Sequence, residues 1–120
     1  MIELIFGGMI YGATLLGCYD GDTCRININN TPTFVATQSL RFNGFDTPEL
    51  RGKCGREKLL AKRAKEVTLK YMQSNPRLVV SDKRDKYGRL IVDAPDLAEQ
   101  LISDGLARPY DGGKREGWCQ

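Results

Sequence analysis

The sequence predicts a mostly β domain of the α+β class, in which five short strands close into a barrel plugged by one main helix. Two observations predict it. Short runs of alternating apolar and polar residues are separated by turns rich in Gly, Asn and Pro, and one longer segment has helical periodicity. At 120 residues, with 41% hydrophobic and 28% charged residues, the chain suits one globular domain with a single core. The predicted strands are residues 10–19, 23–29, 39–45, 77–81 and 88–93.

The first two strands are joined by Asp-Gly-Asp at 20–22, which is a strong hairpin signal. Gly tolerates a positive φ, and Asp side chains accept hydrogen bonds from nearby backbone N–H groups. The second strand alternates, with Ile26 and Ile28 on one face, and a loop at 29–32 follows it.

The third strand opens the stretch LRFNGFDTPE at 40–49, around which the chain is organised. Alternation directs Leu40, Phe42 and, after a Gly, Phe45 into the core, and it directs Arg41 to the other face. The proline ends ladder pairing and makes the following turn rigid. Taken alone, this stretch is better explained as an ordinary Asp/Pro loop at a strand end.

The main helix is predicted at residues 55–74. Its apolar stripe is formed by Leu60, Ala64, Val67 and Tyr71, which recur at helical spacing and indicate one core face. An Asn-Pro dipeptide ends it.

A short second helix is predicted at residues 97–103. Asp96 and Glu99 would form a capping box, and Gly105 would stop the helix. Five short strands with a helix between the third and fourth describe an oligonucleotide-binding (OB) type of barrel. The remaining tail is predicted to be irregular.

Positive charge is concentrated in the middle of the chain. Residues 41–89 carry 14 Lys/Arg and 6 Asp/Glu, a net charge of +8, whereas the rest carries 4 and 9, a net of −5, for a total of +3. A basic surface indicates a polyanionic partner, nucleic acid before an anionic membrane. The alternative is a solvated helix face, since many of these residues fall on the main helix.

Histidine is absent from the sequence. This excludes His-based acid–base catalysis, Ser-His-Asp machinery and His metal ligands. Any catalysis must therefore use carboxylates, arginines, tyrosines, thiols or an added ion.

The four cysteines are Cys18, Cys24, Cys54 and Cys119. They contain no C-x-x-C pair, which argues against zinc. Three disulfide pairings are possible. We hypothesise a Cys54–Cys119 bridge that holds the tail and implies an oxidising compartment.

The N-terminal segment is apolar but contains Glu3 and several glycines, and it is too short and interrupted to span a membrane. We therefore expect no membrane association. Residues 1–9 are interpreted as a tail and residues 10–120 as the domain.

Three short motifs combine acids, arginines and turns: DGDT at 20–23, Arg41 with DTPE at 46–49, and DKYGR at 85–89. In these motifs, their order and their spacing, the chain resembles the staphylococcal nuclease (thermonuclease) family, from about residue 10 to residue 107. The family has an OB-type barrel, in agreement with the element order.

The resemblance implies a Ca²⁺ site formed by Asp22, Asp46 and the carbonyl of Thr47. Ca²⁺ is a hard ion that takes several oxygen ligands, which this set supplies. The alternative is that Asp20 and Asp22 simply form the turn. For Asp20 we expect a supporting role in the turn and not a metal contact.

The catalytic residues implied by the resemblance are Arg41, Glu49 and Arg89. Glu49 would be the general base that activates water, and the two arginines would hold the scissile phosphate. Planar guanidinium groups suit the charge that develops on a pentacoordinate phosphate. Alternatively, Glu49 caps the next segment and Arg89 is a surface strand residue.

Substrate contacts are implied for Lys86 and Tyr87, which match family positions near the terminal phosphate of the nucleotide. Tyr110 and Trp118 are candidates to stack on bases, with packing of the tail as the alternative.

The resemblance as a whole implies a Ca²⁺-dependent, sugar-nonspecific endo- and exonuclease that leaves 3′-phosphate ends on DNA and RNA. We expect a monomeric, secreted or periplasmic protein with a preference for single-stranded substrate. The alternatives are a non-catalytic nucleic-acid-binding module and a protein-interaction barrel. Two departures from the family are a short segment, LRGKCG, after Glu49 and a Gly-rich tail where a third helix is expected.

Overall fold

The polypeptide folds into a six-stranded closed barrel with a long helix packed against it. The computed structural model describes residues 1–119. In chain order the elements are β1 (Ile2–Phe6), β2 (Met9–Asp20), β3 (Thr23–Ile28), α1 (Thr33–Ala36), β4 (Thr37–Phe42), β5 (Phe45–Asp46), α2 (Gly55–Gln73), β6 (Arg77–Arg84), β7 (Leu90–Asp93), α3 (Pro95–Ser103) and β8 (Arg108–Pro109).

The barrel order is β1-β2-β3-β4-β7-β6, and β6 closes onto β1. The β1–β6 and β4–β7 pairs are parallel, and the other pairs are antiparallel. The predicted mostly β barrel with one main helix is therefore confirmed, with six barrel strands instead of five.

The sixth strand comes from the segment that the sequence analysis interpreted as a tail, and that interpretation is wrong for Ile2–Phe6. This segment pairs with both β2 and β6, and it buries Ile2 and Leu4. Gly7 and Gly8, taken as interruptions, adopt positive φ and form the turn between β1 and β2.

The chain bends sharply after β4. Gly44 has a φ of 91°, and the next two residues pair with β8 instead of continuing β4 as predicted. The predicted core positions are confirmed, because Leu40, Phe42 and Phe45 are each 0–1% exposed. β6 also runs beyond its predicted end to Arg84, and the helical turn α1 was not predicted.

Helix α2 forms where predicted, but its most buried face is rotated from the predicted stripe. Ala61, Ala64, Thr68 and Met72 are 0–1% exposed, whereas Leu60, Val67 and Tyr71 of the predicted stripe are partly buried beside the core. Small residues on the inner face let α2 lie close to the β2–β3 turn. A Cβ on Gly21 would lie only 2.8 Å from the Cβ of Ala64.

Helix α3 begins earlier than predicted. Pro95 occupies its first turn, and the N-cap is Ala94, which makes no side-chain capping bond, so the predicted capping box at Asp96 is wrong. Asp96 instead accepts a 2.9 Å hydrogen bond from the Tyr71 hydroxyl. Gly105, with φ of 72°, follows the helix as predicted.

All four cysteines form disulfides. The predicted Cys54–Cys119 bridge is confirmed, and Cys18–Cys24 links directly paired residues of β2 and β3. Across residues 1–119, the structure has no helix with the length and apolar character needed to cross a bilayer.

Candidate active site

A cavity of about 790 Å³ opens at one end of the barrel. The β2–β3 turn, the β4–β5 bend, the β6–β7 loop and the C-terminal tail surround it. This volume lies in the usual range for ligand sites. Its charged lining residues are Asp20, Asp22, Arg41, Asp46, Glu49, Arg51, Asp85, Lys86, Arg89, Asp111 and Arg115.

The β2–β3 turn contributes Asp20 and Asp22, both of which are buried. Burial, together with the adjacent Asp22 carboxylate, raises the pKa of Asp20 to about 8. Burial opposes ionisation of Asp22 as well, but the Asp20 carboxyl and the Arg41 guanidinium hold the pKa of Asp22 below its ordinary value. Asp22 is therefore the charged member of the pair, and a neutral Asp20 supports it.

Arg41 is directed into the cavity by strand register. It lies opposite Thr23 in the β3–β4 pair, one residue from the Asp22 turn. Its Nη1 is 3.3 Å from Asp22 Oδ2, and its Nη2 is 3.7 Å from Asp46 Oδ1. Arg41 thus joins the two predicted metal-site carboxylates.

Asp46 and Thr47 follow the bend after β4. The backbone N–H of Thr47 donates to Asp22 Oδ2 at 3.2 Å, which brings the β2–β3 turn and this segment together. Burial raises the pKa of Asp46 above its ordinary value even though Arg115 lies against it. The three predicted metal ligands therefore lie in one cluster.

Glu49 lies at the cavity mouth, with its side chain 50% exposed. The short segment that follows it is held by Glu57, a buried residue in the first turn of α2. The Glu57 carboxylate accepts from the backbone N–H of Lys53 at 2.9 Å and, at a longer 3.5 Å, from that of Glu49. Sequence reasoning missed this positioning role of Glu57.

Arg89 is oriented by Asp85 within the β6–β7 loop. Its Nε donates to Asp85 Oδ2 at 2.6 Å, and its Nη1 lies 3.4 Å from Thr23 Oγ1. Burial alone would raise the pKa of Asp85, but hydrogen bonds from the Arg89 backbone and side chain hold it below its ordinary value. Arg89 therefore reaches the same cavity as Arg41.

The predicted substrate-binding residues line the cavity, whereas Trp118 does not. Tyr87 is 71% exposed, and the charged groups of Lys86 and Arg89 each lie 5.2 Å from its ring centre. Tyr110 lines the cavity, and its hydroxyl donates to the Gly113 carbonyl at 2.7 Å. Trp118 is buried in the tail, where it packs against Arg108, as the packing alternative predicted.

Arg115 is a second residue at the site that the sequence motifs did not indicate. Its guanidinium contacts the carboxylates of Asp46 and Glu49 and the carbonyl of Thr47. Burial alone would lower the pKa of Arg115, but hydrogen bonds from its side chain to those two carboxylates raise it, so the group stays charged. The only signal in the sequence was Cys119, because its disulfide with Cys54 brings the tail to this end of the barrel.

The clustered oxygens fit a hard cation. Asp22 and Asp46 supply carboxylates, Thr47 supplies a carbonyl, and waters complete such sites in general. Asp46 Oδ1 is buried and accepts no hydrogen bond, although it is ion-paired to Arg115 at 2.8 Å. Among residues 1–119, no group of three or more Asp, Glu, His or Cys side chains is arranged to hold a metal ion.

Comparison with known proteins gives one family match. The family model described as "Staphylococcal nuclease homologue" matches residues 39–117, which is more than half of the chain. The matched range contains Arg41, Asp46, Glu49, Arg89 and Arg115, and it begins after the β2–β3 turn. No curated protein sequence matches the chain.

Proposed function

Since the chain belongs to the family of staphylococcal nuclease homologues, we propose that it is a Ca²⁺-dependent nuclease that hydrolyses phosphodiester bonds in DNA and RNA. Family membership indicates a nuclease or a nucleic-acid-binding module. The observation that favours the nuclease is that Arg41, Glu49 and Arg89 line one cavity beside the Asp22–Asp46 cluster.

The two arginines bind the phosphate in this proposal. A guanidinium can donate paired hydrogen bonds to phosphate oxygens and stabilise the charge that builds up in the transition state. Asp85 holds Arg89 by its Nε, and the Nη2 of Arg89 makes no hydrogen bond within residues 1–119. Arg89 therefore has a donor available for substrate without losing its support.

Glu49 accepts the proton of the attacking water. Half of this side chain is accessible to solvent, so its carboxylate can contact a water in the cavity. Asp22, Asp46 and the Thr47 carbonyl would hold Ca²⁺, which supplies Lewis-acid stabilisation of phosphate charge when it is bound. Departure of the 5′-oxygen leaves a 3′-phosphate on the product.

A preference for single-stranded substrate is part of this proposal. A phosphate must reach the Arg89 side chain, which is 27% exposed, while Tyr87 presents an exposed ring on which a base can stack. Lys86 beside it adds positive charge toward a terminal phosphate.

The two disulfides support a secreted or periplasmic location, because disulfides persist in oxidising compartments.

A non-catalytic nucleic-acid-binding module is the second candidate. It is favoured by one observation: Arg115 neutralises the Glu49 and Asp46 carboxylates that catalysis needs. Glu49→Gln separates the two candidates. The matched control is Glu66→Gln, which makes the same charge change on the exposed face of α2.

The experiment measures cleavage of a single-stranded oligonucleotide with Ca²⁺, together with its Kd. For the nuclease we expect Glu49→Gln to lose turnover by at least about 100-fold with little change in Kd, because a base acts in the transition state. Glu66→Gln should behave as wild type. Binding without cleavage in the wild-type protein would support the second candidate.

A further inference from the structure

The guanidinium of Arg115 lies against the Asp46 and Thr47 side of the oxygen cluster, whereas Arg41 lies against Asp22. Its Nε donates to Asp46 Oδ2 at 3.0 Å, and its Nη2 lies 2.8 Å from Asp46 Oδ1 and 3.3 Å from the Thr47 carbonyl oxygen. Its Nη1 pairs with the Glu49 carboxylate. One positive group therefore contacts two of the three proposed cation ligands and the proposed base.

These contacts use the same oxygens that a cation would need. Both carboxylate oxygens of Asp46 contact Arg115, and the Thr47 carbonyl oxygen accepts a hydrogen bond from the same guanidinium. A cation coordinated by Asp46 and Thr47 would need the oxygens that Arg115 contacts at 2.8–3.3 Å, and it would repel the guanidinium at that range. Arg41 approaches Asp46 only to 3.7 Å, so Arg115 is the guanidinium that blocks these oxygens. Binding of one requires withdrawal of the other.

We propose that Arg115 is an intramolecular competitor of the cation, so that the C-terminal tail closes the site until cation binding displaces it. This inference rests on the proposed function, because it takes the Asp22–Asp46–Thr47 cluster as the cation site. It makes Arg115 a residue that sets cation affinity and controls access to Glu49.

The tail is anchored on both sides of Arg115, which gives the competitor a high local concentration. On one side, Arg108 pairs in β8 with Asp46 itself. On the other, Cys119 is joined to Cys54, and Trp118 stacks on Arg108 with 3.8 Å from Cζ to the ring centre. A tethered group competes as if it were present at roughly millimolar concentration or above.

The segment between the anchors can leave the site without disturbing the core. Residues 111–117 are all exposed, and the segment contains Gly112, with φ of 99°, and two further glycines. Apart from the Arg115 contacts, its hydrogen bonds are few: Gly113 N–H to Asp111, the Tyr110 hydroxyl to the Gly113 carbonyl, and Arg108 to the Gly117 carbonyl. The Arg115 side chain itself is 41% exposed. Withdrawal therefore exposes little apolar surface and breaks few other contacts.

The competition predicts a higher apparent Kd for the cation, because only the fraction of molecules with the tail withdrawn can bind it. Without the cation, Arg115 keeps Asp46 and Glu49 neutralised. With the cation bound, the tail is displaced and the Glu49 carboxylate becomes free to accept a proton. Cation affinity should therefore be weaker than the cluster alone would give.

The test is calorimetric titration of the purified, disulfide-intact protein with Ca²⁺ alone, without nucleic acid. Arg115→Gln should bind Ca²⁺ with a Kd lower by about 10-fold or more, because it removes charge-assisted hydrogen bonds to the ligands. Lys114→Gln is the matched control: it makes the same charge change one residue away at an exposed side chain and should bind as wild type.

The tether is tested with the double variant Cys54→Ser/Cys119→Ser, which should shift the Kd in the same direction as Arg115→Gln. An unchanged Kd in the double variant would show that the disulfide does not contribute. The Ca²⁺ concentration for half-maximal cleavage should fall in parallel with the Kd.

The outcomes separate this inference from the proposed function. Equal Ca²⁺ affinity in the wild type and Arg115→Gln, with cleavage intact, would overturn the competitor and leave the nuclease standing. Absence of Ca²⁺ binding in both proteins would overturn both. Binding that is detectable only in Arg115→Gln would give the strongest support to the competitor.

Discussion

Thr68 on α2 donates a 2.7 Å hydrogen bond to the carbonyl oxygen of Gly21, the central residue of the β2–β3 turn. Thr68 is fully buried, and Gly21 lies against Ala64 in the preceding turn of the helix. Helix α2 thus fixes the backbone between Asp20 and Asp22 through these two contacts. The position of a cavity carboxylate depends on a helix that does not reach the cavity.

Replacement of Thr68 by Val should lower the free energy of unfolding by about 1–3 kcal/mol, because it leaves the Gly21 carbonyl buried without a donor at nearly constant side-chain volume. Chemical denaturation measures this. Thr68→Ser keeps the hydroxyl, so its free energy of unfolding should fall less than that of Thr68→Val. Equal stability of Thr68→Val and wild type would show that the hydrogen bond does not hold the turn.

Glu57 should affect catalysis through Glu49 without touching substrate. Glu57→Ala leaves the backbone N–H groups of Lys53 and Glu49 without their acceptor, so we expect a loss of about 1–3 kcal/mol of stability. Because a displaced base is a poor base, kcat should fall by about 10-fold with little change in KM. Glu57→Gln keeps one acceptor oxygen and should recover part of both losses.

The comparison that decides this prediction is between kcat and stability. If Glu57→Ala lost stability while its kcat stayed at the wild-type value, the residue would serve only the helix terminus, and its link to Glu49 would be wrong.

The ion pair of Asp85 and Arg89 should make stability depend on pH in the acid range. The pKa of Asp85 in the folded protein lies below its ordinary value of 3.8, so the unfolded chain takes up a proton first as the pH falls. The stabilisation by Asp85 is therefore complete well above pH 3.8 and is lost as the pH falls through the folded-state pKa.

Asp85→Asn should accordingly be less stable than wild type at pH 7, and the difference should shrink below about pH 4. Denaturation at several pH values measures this. The same variant should lose turnover by about 10-fold, because Arg89 is no longer oriented. Asp82→Asn is the matched control, since Asp82 is exposed on the neighbouring strand. A constant difference from pH 3 to pH 7 would contradict the assignment.

The sequence was informative where local pattern decides structure. Alternation predicted the core positions of Leu40 and Phe42, and helical periodicity located α2 to within one residue of its end. The prediction of a tail was wrong for Ile2–Phe6. Gly7 and Gly8 looked like interruptions of an apolar segment, but they form the turn between two strands. Whether a short apolar segment is a tail or a strand depends on the edge it meets, here β6.

At the candidate site, too, the sequence predicted the residues that belong to local motifs and missed those placed by long-range contacts. The three motifs identified residues that the structure brings together, because each motif sits at a strand end or turn with its own local geometry. Arg115 and Glu57 belong to no motif. Their positions depend on contacts across the fold: Arg115 reaches Asp46 across 69 residues and Glu57 reaches back to the segment before α2. The sequence allowed a Cys54–Cys119 bridge to be hypothesised, but the position of Arg115 depends on how the tail folds against the barrel.

The most direct test of the account is cleavage of single-stranded DNA by the wild-type protein with Ca²⁺ and with a chelator, followed by analysis of the product ends. We predict Ca²⁺-dependent cleavage that leaves 3′-phosphates and is abolished by the chelator. Cleavage that is unaffected by the chelator would contradict the cation site. DNA binding without any cleavage in Ca²⁺ would contradict the proposed nuclease and leave a nucleic-acid-binding module.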